Sequence, residues 1–164
     1  MVNWLRKSKI TMGLLTILRV YLGWQWLMSG WTKVSGTFSA QAMIKGAIES
    51  PVLDANGANA YPWYTKFLES FVLPNIDLFD LMVAWGELLV GLGLLVGALT
   101  TAAAFFGLLM NFSYLLAGTV SINPLFILIQ FLLLIAGFNA GKIGLDHWVV
   151  PFLRKKLPFL QKTS

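Results

Sequence analysis

Four apolar stretches, at about 11–31, 78–99, 101–120 and 124–140, dominate this chain of 164 residues. Each is long enough, or nearly so, to cross roughly 30 Å of hydrocarbon at about 1.5 Å per helical residue. The expected fold is therefore all-α: a polytopic membrane protein, one domain over residues 1–164. Its four transmembrane helices form a bundle, and a long extracytoplasmic loop over 33–77 carries short helices.

Composition agrees with that solvent. Hydrophobic residues make up 57% and charged residues 12%, against roughly 25% charged in an ordinary globular domain. A soluble fold of this size needs more polar surface than such a chain supplies. There is no cysteine, which removes thiol nucleophiles, disulfide exchange, thiolate zinc sites and iron–sulfur clusters from this chain. A single histidine, His147, rules out a histidine-rich metal site within it, and no metal is expected. No P-loop or nucleophile elbow is present.

Charge orients the bundle. The N-terminal tail carries Arg6, Lys7 and Lys9, and the C-terminal tail Lys142, Arg154, Lys155, Lys156 and Lys162 against Asp146. The segment from Lys33 to Asp80 holds three lysines against five acids. Positive ends and a mildly acidic loop place both termini in the cytoplasm of a cell membrane, the bacterial plasma membrane. The basic residues read as orientation signals and anionic-lipid contacts rather than as a nucleic-acid footprint. The first apolar run reads as a retained helix, because it is too long for a signal peptide and contains Arg19 and three tryptophans.

Within the loop, residues 38–48 suit a short helix capped by Thr37 or Ser39, and Asn56-Gly57 marks a turn. Pro62 suits the first turn of a helix that Pro74 is expected to stop. Trp63, Phe67 and Phe71 recur at four-residue spacing, so this helix should lie on the membrane surface or cap the bundle. Asp77 and Asp80 suit caps of the second span.

Each span carries a polar residue that hydrocarbon makes expensive: Arg19, Glu87, Asn111 and Gln130. Helical spacing places Arg19, Gly23, Trp26, Gly30 and Lys33 on one stripe of the first span. Small residues at Gly86, Val90, Gly93 and Gly97 form a stripe on the second, with Glu87 at its edge. Asn111 aligns with Tyr114 on the third, and Gln130 with Gly137 on the fourth. Glu87 and Gln130 should lie roughly 10–13 Å below the outer face. Because side chains lean towards the helix N-terminus, Arg19 leans inward and Glu87 outward, so a direct pair between them is possible but strained. These groups either fix helix register or bind a ligand or proton.

The ordered set of motifs resembles a family. Arg19-Val20-Tyr21-Leu22-Gly23, Ser29-Gly30-Trp31-Thr32-Lys33, Trp85-Gly86-Glu87-Leu88-Leu89-Val90-Gly91 and Asn139-Ala140-Gly141-Lys142-Ile143-Gly144-Leu145-Asp146 are similar to stretches of DoxX/DoxD-type membrane proteins. The long aromatic loop resembles the DoxD type. That resemblance implies a subunit of a thiosulfate:quinone oxidoreductase, working with a smaller DoxA-like partner, that passes electrons from thiosulfate to a membrane quinone and yields tetrathionate. Other members are linked to oxidative-stress systems, so activity does not follow from the fold.

In the quinone reading, Glu87 exchanges quinol protons and Arg19 steadies the headgroup or the carboxylate. Asn111 and Gln130 bond a carbonyl, Trp26 and Tyr114 flank the ring, and Lys33 attracts thiosulfate. A second reading is a non-catalytic scaffold that anchors a redox or stress-response partner, which needs only the helices and the loop. A third is a small-molecule permease, which would require homo-oligomers because four short helices enclose little volume.

Overall fold

The computed structural model describes residues 2–157; Lys162, counted above among the basic residues of the C-terminal tail, lies outside them. Helix α1 (Val2–Lys7) is followed by α2 (Lys9–Ser35), α3 (Gln41–Glu49) and α4 (Pro62–Phe67). Next come α5 (Ile76–Val96), α6 (Thr100–Leu116), α7 (Asn123–Ala136), α8 (Phe138–Gly141) and α9 (Asp146–Lys156). The described residues are mostly helical, with no strand among them and one isolated bridge, Leu53 to Asn59.

Helices α2, α5, α6 and α7 form the bundle around Leu22, Trp26, Val90, Leu94, Ala104, Phe126 and Leu133. Large apolar side chains such as Ile17, Leu89, Phe106 and Leu128 point outward from it. An exterior this apolar suits lipid rather than water. By length and hydropathy together, one stretch among the described residues qualifies to cross a membrane, Pro62–Val96, while α6 and α7 are shorter apolar helices. Helix α2 has the length, 27 residues, but its Arg19, Gln25 and Lys33 dilute its hydropathy.

Packing of α2 on α5 is closest where glycine removes the side chain. A Cβ on Gly30 would overlap the Leu88 backbone, and one on Gly91 would overlap Leu27. The face of α5 turned to α2 is thus the Glu87–Gly91–Leu94 row. Gly86 and Gly93 of the expected small-residue stripe instead face α6, beside Met110 and Ala103.

The loop folds over the end of the bundle away from the termini. Pro74 does not stop the helix that Pro62 starts. A π-helical turn (Leu68–Val72) and a 3-10 turn (Leu73–Asn75) carry the chain straight into α5, absorbing the amide that proline lacks. Ala40, Ile44, Ala47, Tyr64, Leu68 and Val72 make a second small core beneath it. The Tyr64 hydroxyl donates to the Ser113 carbonyl at 2.9 Å. Asp80 does not cap α5: its carboxylate accepts from the Ala40 amide at 2.7 Å and ties α3 to the bundle. At Asn56-Gly57 the turn forms, with Gly57 at φ +78°. Asp54 accepts there from the amides of Ala58 and Asn56, which hold its carboxyl below the usual value.

Candidate functional site

The buried carboxylate of Glu87 is the centre of the polar interior. On α2, Ser29 and Lys33 are four residues apart and so share a face. The Ser29 hydroxyl donates to Glu87 Oε2 at 2.7 Å, and the Lys33 ammonium reaches the same oxygen at 2.6 Å. Lys33 also donates to Ser29 Oγ at 2.8 Å. From α6, the Tyr114 hydroxyl donates to Glu87 Oε1 at 2.7 Å. Three helices thus converge on one carboxylate whose side chain is 4% exposed, while that of Lys33 is 22% exposed.

The lean of side chains towards helix N-termini explains the pairing. Lys33 lies at the C-terminal end of α2 and leans back into the bundle, whereas Glu87, on antiparallel α5, leans towards the loop. Lys33 therefore does not simply reach for the surface. Ser29 was absent from the sequence-based site although it lies inside the Ser29–Lys33 motif. Its four-residue spacing to Lys33 was the available signal.

Arg19 is not part of this cluster. It sits near the opposite end of α2, where its guanidinium donates to the Ile143 carbonyl at 2.6 Å beside Gly97 and Gly144. The steadying of the Glu87 carboxylate expected of Arg19 is therefore not made, since Lys33 holds that place. Its Nε and Nη1 are buried without a partner among the described residues. Close by, Asp146 joins three elements. Its carboxylate accepts from the amides of Leu99 (2.7 Å) and Thr100 (2.9 Å), which begin α6. Its own amide donates to the Gly97 carbonyl at 2.7 Å, at the end of α5. This cap, supplied from a distant part of the chain, was not foreseen.

Asn111 and Gln130 bond each other, Nδ2 to Oε1 at 2.7 Å, and both are wholly buried. Trp26 is also buried, tilted against Phe126 at 6.3 Å between ring centroids. None of the three, to which contacts with a quinone carbonyl or ring were assigned above, lines either of the two grooves described below.

Tyr114 does reach one. An apolar groove of about 990 Å³ runs between α5 and α6, from Tyr64 and Leu68 under the loop, past Gly86, Val90 and Tyr114, to Phe106 at the far end. Tyr114 is thus shared between the groove wall and the Glu87 cluster. The arrangement offers a phenol, a carboxylate and an ammonium in series, the phenol at a lipophilic slot. Such a series can move a proton or hold three helices in register.

Comparison with known proteins adds the family. No curated protein and no solved structure matches the chain. The family model for DoxX matches residues 14–119, which include most of α2, the loop helices, α5, α6 and every member of the Glu87 cluster. The chain therefore belongs to the DoxX family of membrane proteins.

Proposed function

We propose that this protein is the quinone-binding integral membrane subunit of an oxidoreductase. It crosses the plasma membrane four times with both termini in the cytoplasm. One observation carries the reading: Tyr114 lines the long apolar groove and its hydroxyl also bonds Glu87. The groove suits a polyprenyl tail, being apolar along most of α5 and α6 and within the usual size of ligand sites, about 300–1,000 Å³. Reduction of a quinone to a quinol consumes two electrons and two protons. Tyr114 hands a proton to the ring oxygen and recovers one from the Glu87–Lys33 pair, which reaches the loop side through the partly exposed Lys33.

The electrons come from outside this chain. Thiosulfate is the donor suggested by the DoxD resemblance: two thiosulfate ions lose two electrons to give tetrathionate, with a DoxA-like subunit as partner. Quinone reduction by the full chain in liposomes, with thiosulfate and with or without a co-purified partner, tests this. Glu87→Gln, still folded, should abolish turnover, whereas Tyr114→Phe should weaken binding of a short-chain quinone and slow its reduction. Absence of activity and of quinone binding would overturn the reading.

A specific observation favours a second reading, a non-catalytic anchor for a redox or stress-response partner. Both Glu87 oxygens are already bonded within the chain, as a register pin requires. In that case Glu87→Gln lowers stability and leaves quinone binding unchanged.

A further inference from the structure

A second groove lies at the terminal end of the bundle, and its chemistry differs from the first. Helix α9 is fastened to the bundle mainly through its N-terminus. The Leu145 and Asp146 amides donate to Val96 and Gly97 at 3.1 and 2.7 Å, and the Asp146 carboxylate caps α6. Beyond that hinge, Asp146, Val150, Leu153 and Arg154 follow at steps of four, three and one, so they share one face of α9. That face stands off the first turns of α6 and leaves a groove of about 540 Å³ walled by Phe105, Phe106, Leu134, Val150 and Leu153, with Arg154 at its rim.

The rim is positive without compensation. Arg154 has no carboxylate within salt-bridge distance among the described residues and lies over the Phe138 ring at 5.7 Å. Lys155 and Lys156 follow it, both exposed. Asp146, the acid that shares the groove, has both oxygens committed to the Leu99 and Thr100 amides. On the opposite face of α9, Trp148 and Phe152 are 67% and 59% exposed. Exposed aromatics beside lysines are the signature of a helix lying in the membrane interface.

From this geometry we infer that the groove between α6 and α9 binds an anionic phospholipid of the surrounding bilayer, its acyl chain along Phe105, Phe106 and Leu134 and its phosphate at Arg154. An apolar slot ending at a cation with no carboxylate partner among the described residues fits a molecule with one anionic head and a hydrocarbon tail. A zwitterionic lipid fills the slot equally well but places its own cation against Arg154. The inference does not depend on the quinone reading, since it uses neither Glu87 nor Tyr114.

Native mass spectrometry of the full chain, equilibrated in zwitterionic detergent with equal amounts of phosphatidylglycerol and phosphatidylcholine of matched chains, tests it. One phosphatidylglycerol per chain should be retained in preference to phosphatidylcholine. Arg154→Gln should reduce that preference by about fivefold, the usual effect of one basic residue at a membrane surface. Lys45→Gln, on exposed α3 at the other end, should change nothing. Thr101→Phe, which fills this groove and not the first from an exposed position, should lower retention of both lipids while the thermal unfolding profile stays unchanged. Equal retention of the two lipids by the unaltered chain, or a preference that survives Arg154→Gln, would overturn the assignment. Retention undiminished by Thr101→Phe would also overturn it and leave diffuse attraction to α9.

Discussion

Lys33 and Glu87 form a 2.6 Å ion pair across the α2–α5 contact, held in place by Ser29, whose hydroxyl accepts from the one and donates to the other. The pair is asymmetric, with the carboxylate inside and the ammonium partly wet. Removing the cation therefore leaves a buried anion, whereas neutralising the anion leaves an ammonium that can reach water. Lys33→Met should destabilise by about 3 kcal/mol or more. Glu87→Gln should cost about 1–2 kcal/mol, since the amide retains bonds to Ser29 and Tyr114. The double variant should be less destabilised than the sum of the two. Denaturant titration in detergent micelles, run as a double-mutant cycle, reads the coupling; strict additivity would refute it.

The glycine contacts between α2 and α5 set a second prediction. A Cβ at Gly30 or Gly91 meets backbone, which cannot swing aside as a side-chain tip can. Gly30→Ala and Gly91→Ala should each cost about 1–3 kcal/mol through overpacking. They should also weaken the Lys33–Glu87 pair by pushing the helices apart. Gly13→Ala and Gly46→Ala, with open space at the same position, should be neutral or slightly stabilising because alanine is the better helix former. Thermal unfolding of the four variants separates the two classes, and equal shifts would sink the argument.

Much of the bundle was legible because its signals are local. Apolar runs announce helices, and one polar residue per run announces an interior. The spacing of Gly23, Trp26 and Gly30 marked the buried face of α2, all three being buried. Rotation of α5 was less legible, because glycines at 86, 91, 93 and 97 permit two close-packing faces and only the neighbours decide which meets α2. The irregular turn at Leu68–Val72 was hidden by Pro74, whose usual effect is to end a helix. Within the site, the direction of side-chain lean marked a direct Arg19–Glu87 pair as possible but strained, and the structure pairs Glu87 with Lys33 instead. It applies equally to Lys33, which was expected to attract thiosulfate and is found paired with Glu87. The Asp146 cap could not be read at all, since it joins residues 46 and 47 positions apart.

That cap sets a third prediction. Asp146 satisfies two amides of an α6 N-terminus and offers a negative charge near the buried guanidinium of Arg19. Asp146→Ala should lose the cap, worth about 0.5–2 kcal/mol, and in addition leave Arg19 without a nearby anion. Asp146→Asn keeps an acceptor for one amide and should cost less. Hydrogen exchange at Leu99 and Thr100 should quicken in both variants, more in the alanine, while exchange around Tyr64 stays unchanged. Unaltered exchange at Thr100 would show that the cap contributes nothing.

The turn at Asp54 gives a pH prediction. Its carboxyl is held below its ordinary value of 3.8 by the amides of Ala58 and Asn56. A depressed folded value means that the carboxylate stabilises the turn above the unfolded value and that the contribution fades as pH falls through the folded one. The Ala58 amide should therefore stay protected at neutral pH and become exposed below about 3.8. Asp54→Asn should abolish that pH dependence. An amide equally protected across the range would count against the Asp54 contact.

Asn111 and Gln130 provide the last test, of what the buried polar pair costs. They share one bond of 2.7 Å, while Asn111 Oδ1 and Gln130 Nε2 are left without a partner among the described residues. Interhelical bonds of this kind contribute on average about 0.6 kcal/mol in membrane bundles, whereas an orphaned buried amide costs about 1–3 kcal/mol. Asn111→Leu alone should therefore destabilise, because it strands the whole Gln130 amide. The double change Asn111→Leu with Gln130→Leu should recover most of the loss and approach the stability of the original chain. A double variant less stable than either single one would show that the pair holds α6 to α7 more strongly than its one bond accounts for. Quinone binding should survive the double change, because neither residue lines the groove that Tyr114 borders.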